Sequence, residues 1–241
     1  MANPVLVNGL GSPQSIYDSS STQYHNVGTR GQMSDGRVFY YARNGAVDLD
    51  PGKLVHTPVI AATEANLAVT ATAVGQKVVN VTPGAITFTA NQLAEGYLCV
   101  NDVDGEGYTY KIREHPAVAS SQAFDMTLYD DIKVALTANS QVTMLRNLWA
   151  DVVESTTTQT FFKAGVPITT ITASEYGWVQ TWGVCGAWDD ELTAIGSMVT
   201  GGTGTAGQIE AADLIAEQLI GIQLYTGVAT EYYPKFLTIA P

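Results

Sequence analysis

Short stretches in which apolar and polar residues alternate recur along most of the chain, separated by turn-forming residues. Leu67, Val69, Ala71 and Ala73 alternate with Thr70 and Thr72, the period of a half-buried strand. Similar stretches lie at 37–42, 78–81, 86–89, 97–101, 108–113, 124–129, 134–136, 142–145 and 161–162. Between them stand the hairpin signal Asn44-Gly45 and the turn signals Ser34-Asp35-Gly36, Asp50-Pro51-Gly52 and Pro83-Gly84. The run Asp102 to Gly107 is an acidic glycine turn between two such strands. Strands at this spacing predict a sandwich or barrel.

A second β-rich block begins near Ile171. Its pattern sets Tyr176, Trp178, Gln180 and Trp182 on one face of a strand. Residues 201–205 read as a flexible loop, and 209–219 is the best helix candidate or, equally, a turn leading to 220–225. Residues 231–239 form a last strand, which Pro234 assigns to a sheet edge. By contrast, residues 1–34 carry a polar run from Asp18 to Thr22 and thinly spread apolar residues. The expected fold is therefore mainly β, with β-sandwich or β-barrel domains and an extended N-terminal arm. The arm is residues 1–34, a β-rich domain spans 35–170, and a second, barrel-like β-rich region spans 171–241. An arm of this composition needs anchors on a neighbour, and its apolar residues Val5, Leu6, Ile16, Tyr17 and Tyr24 are the candidates for that interface.

Composition agrees with this pattern. Of 241 residues, 46% are hydrophobic and 14% charged, with 23 glycines. A charged share below the usual ~25% excludes disorder through charge excess. No apolar run reaches the ~18 residues of a membrane-spanning helix. The net charge of −12, from 11 basic and 23 acidic residues, disfavours nucleic acid and anionic membranes as partners. The N-terminus lacks the basic and apolar regions of a secretory signal, so synthesis in a cytoplasm is expected. Cys99 and Cys185, each in an apolar strand-like stretch, read as structural thiols.

The candidates for chemistry are few. Gly202 to Gly207 spells the dinucleotide fingerprint G-x-G-x-x-G, but the strand–helix–strand context it requires is missing. The turn starting at Asp102 has Gly107 at position six of a calcium loop but Arg113 at position twelve. His25, His56 and His115 show no metal-ligand spacing, and no nucleophile elbow occurs. Asp189, Asp190 and Glu191 read as a solvated loop tip. Trp178 and Trp182 could stack a sugar but read first as core or subunit interface. No catalytic, cofactor or metal residues are assigned.

Several stretches together resemble the capsid decoration (cement) proteins of tailed bacteriophages. They are Gln32-Met33-Ser34-Asp35-Gly36 running into Arg37-Val38-Phe39-Tyr40-Tyr41-Ala42, and Pro51-Gly52-Lys53-Leu54. Further on come Glu95-Gly96-Tyr97-Leu98, residues 104–112, the 176–183 strand, and the tail from Ile220 to Tyr232. The resemblance spans 29–239 and is one of pattern, without a catalytic signature. It implies a non-enzymatic virion protein, a homotrimer on the outer surface of the major capsid protein lattice, made in the host cytoplasm. The rival expectations are a tail or head-fibre component, and a carbohydrate-binding β module.

Overall fold

The structure is a computed structural model that describes residues 3–6, 9–58, 60, 62–158, 161–213 and 217–241. The chain opens with strands β1 (Val5–Leu6), β2 (Arg30–Gln32), β3 (Val38–Arg43) and β4 (Val55–His56). There follow β5 (Leu67–Val69), β6 (Val78–Thr82), β7 (Tyr97–Asp102), β8 (Thr109–Glu114), β9 (Phe124–Leu128) and β10 (Gln141–Leu145). The last group is β11 (Val153–Glu154), β12 (Lys163–Pro167), β13 (Tyr176–Trp188), β14 (Met198–Gly201), β15 (Ile209–Ala211), β16 (Gly221–Gln223) and β17 (Tyr232–Thr238). The mainly β expectation holds. The helix candidate at 209–219 instead begins as strand β15; residues 214–216 lie outside the described residues.

The chain divides into two compact units. One is Val59–Asn147; the other is discontinuous, Met1–Pro58 with Leu148–Pro241. These limits differ from the expected boundaries at 34/35 and 170/171.

Unit 59–147 is a closed antiparallel barrel in the order β10-β5-β6-β9-β8-β7. The closed barrel therefore lies here and not within 171–241. Its strands keep the period of two: Val79 and Val81, Leu98 and Val100, Met126 and Leu128, and Val142 and Met144 all point into one apolar core. Closure removes exposed edges from the strands.

In the discontinuous unit the sheet runs β1-β2-β3-β13-β17-β16-β14-β15, and β12 also pairs with β13 and β4. The 13-residue strand β13 is its spine. Its first half pairs with β3, from Tyr176↔Arg43 to Gln180↔Phe39. Its second half pairs with β17, from Trp182↔Thr238 to Trp188↔Tyr232. β17 is thus an interior strand, with β16 on its other side, and the edge placement inferred from Pro234 is corrected. The Leu224 N–H donates to the Pro234 carbonyl at 3.1 Å. The N–H that proline lacks would face Leu224, one residue past the end of β16, so the interior ladder loses only a terminal bond. Asn44-Gly45 is not a hairpin either. Asn44 is buried, and its side-chain amide donates to the carbonyls of Val47 and Ile171 at 2.9 and 2.7 Å.

The described part of residues 1–34 lies along this sheet. β1 pairs with β2, and Ser20 bridges to Tyr176. Ile16 is fully buried with Phe39, Tyr41 and Trp178. The Trp178 Nε1–H donates to the Gln14 carbonyl at 3.3 Å, and the Tyr41 hydroxyl donates to Gln14 Oε1 at 2.8 Å. A segment that supplies a core residue and accepts hydrogen bonds from buried aromatics belongs to the unit's packing, so its removal uncovers Trp178.

Candidate functional site

Strand β13 departs from the expected single aromatic face. The register with β3 shifts between Gln180 and Trp182, a bulge that gives Trp182 the partner Val38 directly after Gln180 has paired with Phe39. An extra residue on one strand reverses which face the following side chains occupy. Trp178 consequently points into the Ile16 cluster at 0% exposure, whereas Trp182 lies on the opposite face, edge-on to Phe236 at 5.8 Å.

Beyond the bulge one cross-strand row runs through four strands. Val184 opposes Phe236, Phe236 opposes Ile222, and Ile222 opposes Met198. Val184, Ile222 and Met198 are 52, 42 and 58% exposed. The same face carries Leu224, Pro234 and Trp182, and Trp188 stacked on Tyr232 at 6.2 Å. The neighbouring row, Cys185–Lys235–Gln223, points the other way and is buried. An antiparallel sheet with one solvated face ordinarily reads apolar inside and polar outside. Here the outer face is apolar, and the inner face holds a lysine and a glutamine.

The inward charge is compensated. Lys235 Nζ lies 2.9 Å from Asp189 Oδ1, both side chains at 0% exposure. Nζ also donates to the Ala187 carbonyl at 3.0 Å, and Gln223 Nε2 donates to Asp189 Oδ2 at 3.2 Å. Burial pushes the Asp189 carboxyl up and the Lys235 ammonium down, and their pairing opposes both shifts. Asp189 is therefore not part of a solvated tip, unlike the exposed Glu191 beside it. Cys185, under the same sheet, is a free thiol pushed up to about 12 by burial; Cys99 is free and half-buried.

Two hollows flank the apolar row. One, of about 670 Å³, is lined by Tyr17, Arg37, Asp50, Gly52, Val184 and Tyr232, among others. The other, about 500 Å³, is lined by Asp35, Arg37, Trp182, Val184 and Phe236. Gly52 has a φ of +77°, and a Cβ there would meet the Tyr232 ring at 2.6 Å, so glycine lets the ring pack flat against the turn.

The five arm residues proposed as an interface separate in space and exposure. Ile16 is buried, and Leu6 is half-buried against the same cluster. Tyr17 and Tyr24 are exposed at 55 and 48%, with Tyr17 at the larger hollow, and Val5 is exposed at 48% in β1. Sequence reasoning missed the Val184–Met198 row. The alternation of Val184, Gly186 and Trp188 with Cys185 and Ala187 marks two faces, but both faces are apolar in composition.

The other motifs have local roles. In the G-x-G-x-x-G loop, which joins β14 to β15, Gly202 N–H donates to the Gln208 carbonyl at 2.7 Å. Thr203 N–H donates to Glu210 Oε2 at 3.0 Å and Gly204 N–H to Asp190 Oδ2 at 2.7 Å. A phosphate would meet carboxylates where the fingerprint needs free N–H groups. Asp102 Oδ1 accepts from the Val103 N–H at 2.9 Å within the β7–β8 turn. His115 Nε2 accepts from the Leu93 N–H at 2.9 Å, and burial lowers the His115 pKa. Among the described residues no three His, Cys, Asp or Glu side chains group as a metal site.

One polar cluster was not anticipated. Lys163 Nζ donates to Ser155 Oγ at 2.7 Å, and His56, paired with Lys163 across β4 and β12, stacks on Phe161 at 4.8 Å. A lysine beside a serine hydroxyl is a pairing that activates nucleophiles. Lys163, Ser155 and His56 are 0, 1 and 1% exposed, so a substrate would have to displace their cover. Burial lowers Lys163 from 10.5 to about 8. Below the folded-state value both folded and unfolded chains hold the proton, and the burial cost is present in full. Between about 8 and 10.5 the unfolded chain binds more protons, so this group makes stability rise with pH. Lys163→Met is expected to raise stability at neutral pH and to flatten that rise. Urea midpoints of both proteins across the range check it; parallel pH curves contradict it.

The chain matches no protein-family model, no curated protein and no solved structure.

Proposed function

We propose that the protein is a non-enzymatic virion structural protein, a capsid decoration or cement protein that binds the outer surface of a major capsid lattice as a homotrimer and stabilises the head. The observation that carries this reading is the solvent-facing apolar row Val184–Phe236–Ile222–Met198. Contiguous exposed apolar surface of this kind marks an interaction site. The resemblance of the 32–42, 95–98, 104–112 and 176–183 stretches to decoration proteins supplies the kind of partner. The test uses heads that lack the chain. Added protein should bind them saturably, in numbers that follow the capsid lattice, and should raise the temperature at which they rupture. Binding confined to a few copies at the tail vertex would favour the tail or fibre reading, and absence of binding would reject the proposal.

A carbohydrate-binding reading draws on the half-exposed Trp182 and the Trp188–Tyr232 stack. Trp178 contributes nothing to it, because a fully buried ring presents no face to a sugar. Specific glycan binding abolished by Trp182→Ala in a folded protein would establish that reading instead.

A further inference from the structure

We propose that the folded chain makes a side-chain amide between Lys235 and Asp189, a covalent link that ties β17 to the end of β13. The inference goes beyond the reading above and does not depend on what the protein binds.

Isolation from water is the first argument. Lys235 and Asp189 are both at 0% exposure. The other lysine–carboxylate pairs among the described residues leave both partners partly open to solvent: Lys53 with Asp50 and Glu154, Lys77 with Asp131, and Lys111 with Glu95. A hydrated ammonium keeps its proton and is no nucleophile, whereas a desolvated lysine is activated. Burial acts on both partners in the direction an amide requires. It pushes the ammonium toward the neutral amine and the carboxylate toward the neutral acid. The Gly227 backbone closes the site, since a Cβ there would collide with Asp189 Oδ2 and Gln223 Nε2. Water that would reverse the reaction is kept out.

Geometry assigns each atom a part. Nζ stands 2.9 Å from Oδ1, yet Oδ1 accepts no hydrogen bond, so the approach lies off the line of an ordinary ion pair. Oδ2 instead accepts from Gln223 Nε2 at 3.2 Å. That donor stabilises the charge Oδ2 takes up when Nζ adds to Cγ, and Oδ2 stays as the amide oxygen. One Nζ proton points to the Ala187 carbonyl at 3.0 Å and remains on the amide nitrogen. The other two pass to Oδ1. The Nζ–Cγ bond forms, the Cγ–Oδ1 bond breaks with its electron pair on Oδ1, and Oδ1 leaves as water. No oxidant or further reactant enters. The sheet holds together two groups 46 positions apart, which makes the step intramolecular. Among the described residues the other titratable group acting on Lys235 is the Cys185 thiol, which burial keeps protonated. With no second carboxyl to relay protons, the amide forms slowly after folding, and freshly folded protein carries the ion pair.

Intact-mass spectrometry of the full chain, fresh and after a month at neutral pH, tests this. The aged protein should be lighter than its sequence by the mass of one water, and chain kept unfolded in denaturant should not change. Trypsin supplies a second readout, because no Lys or Arg lies between Lys163 and Lys235. Cleavage after Lys235 frees residues 236–241 from the unlinked chain. The amide blocks that cut and leaves residues 164–241 as one peptide, lighter by one water. Lys235→Arg keeps the cation and the cleavage site but cannot form the link, so it should keep its full mass and release 236–241. Asp189→Ala with Lys235→Met, which leaves no buried charge, is the second variant should the first fail to fold, and it should also keep its full mass. The inference is overturned if aged wild-type protein keeps its full mass or still releases all of 236–241. A loss of water that persists in the folded variant would be a cyclic imide at an aspartate and would overturn it equally.

Discussion

Truncation before Glu231 abolishes the cooperative transition of the discontinuous unit. β17 contributes seven residue pairs to β13 and three to β16, so its removal separates β16 and β14 from β13. Leu237 leaves the core it shares with Leu54, Val166 and Ile220. Loss of Lys235 strands Asp189 as a buried carboxylate without its cation. Each of the last two losses costs about 2–5 kcal/mol, against a total stability of about 5–15 kcal/mol for a typical domain. Together they cost about 4–10 kcal/mol before the lost ladder is counted, which is comparable to that margin. Calorimetry of the truncated chain should retain a transition for the 59–147 barrel, which has its own core, and lose the other. A truncated protein that keeps both transitions at the wild-type temperatures refutes the interior role assigned to β17.

Asp189→Ala should destabilise the same unit by about 3–5 kcal/mol, the cost of leaving a buried charge unpaired. Lys235 and Asp189 are both at 0% exposure, so water cannot replace the missing partner without opening the sheet. The double variant Asp189→Ala, Lys235→Met should recover most of the loss, because neither charge then has to be desolvated. Urea midpoints of the two variants and the wild type form the measurement. A single variant within about 1 kcal/mol of wild type would mean that Lys235 sheds its proton at little cost, and the pair would not be a structural requirement.

The local signal at the acidic turn was read correctly, whereas Asn44-Gly45 fails as a hairpin signal because the Asn44 side-chain amide is held by the distant Ile171 carbonyl. The β7–β8 hairpin follows from apolar alternation on either side of the acidic turn, and its φ values near +84° at Gly105 and Gly107 are those glycine tolerates. The same reading failed where partners lay far apart. Pro234 was a reasonable edge signal, yet β17 pairs on both sides, with β13 and with β16, because proline falls where one ladder has already ended. Asp189 to Glu191 looked solvated because three acids follow one another. Only the fold brings Lys235, 46 positions later, to within 2.9 Å of the first of them.

By itself, the sequence determined that the chain folds as strands and turns, that it is strongly acidic, and that the expected motifs lack the contexts their chemistry requires. These are properties of period, composition and spacing, which act over a few residues. The tertiary structure alone decided that residues 59–147 close into their own barrel between two halves of another unit, and that Ile16 belongs to a core. It also decided which apolar face of β13 meets the interior and which meets solvent. The physical reason lies in β13: both of its faces are apolar, so period alone assigns no inside. The bulge after Gln180 and the buried Lys235–Asp189 pair settle the choice, through contacts between residues far apart in the chain.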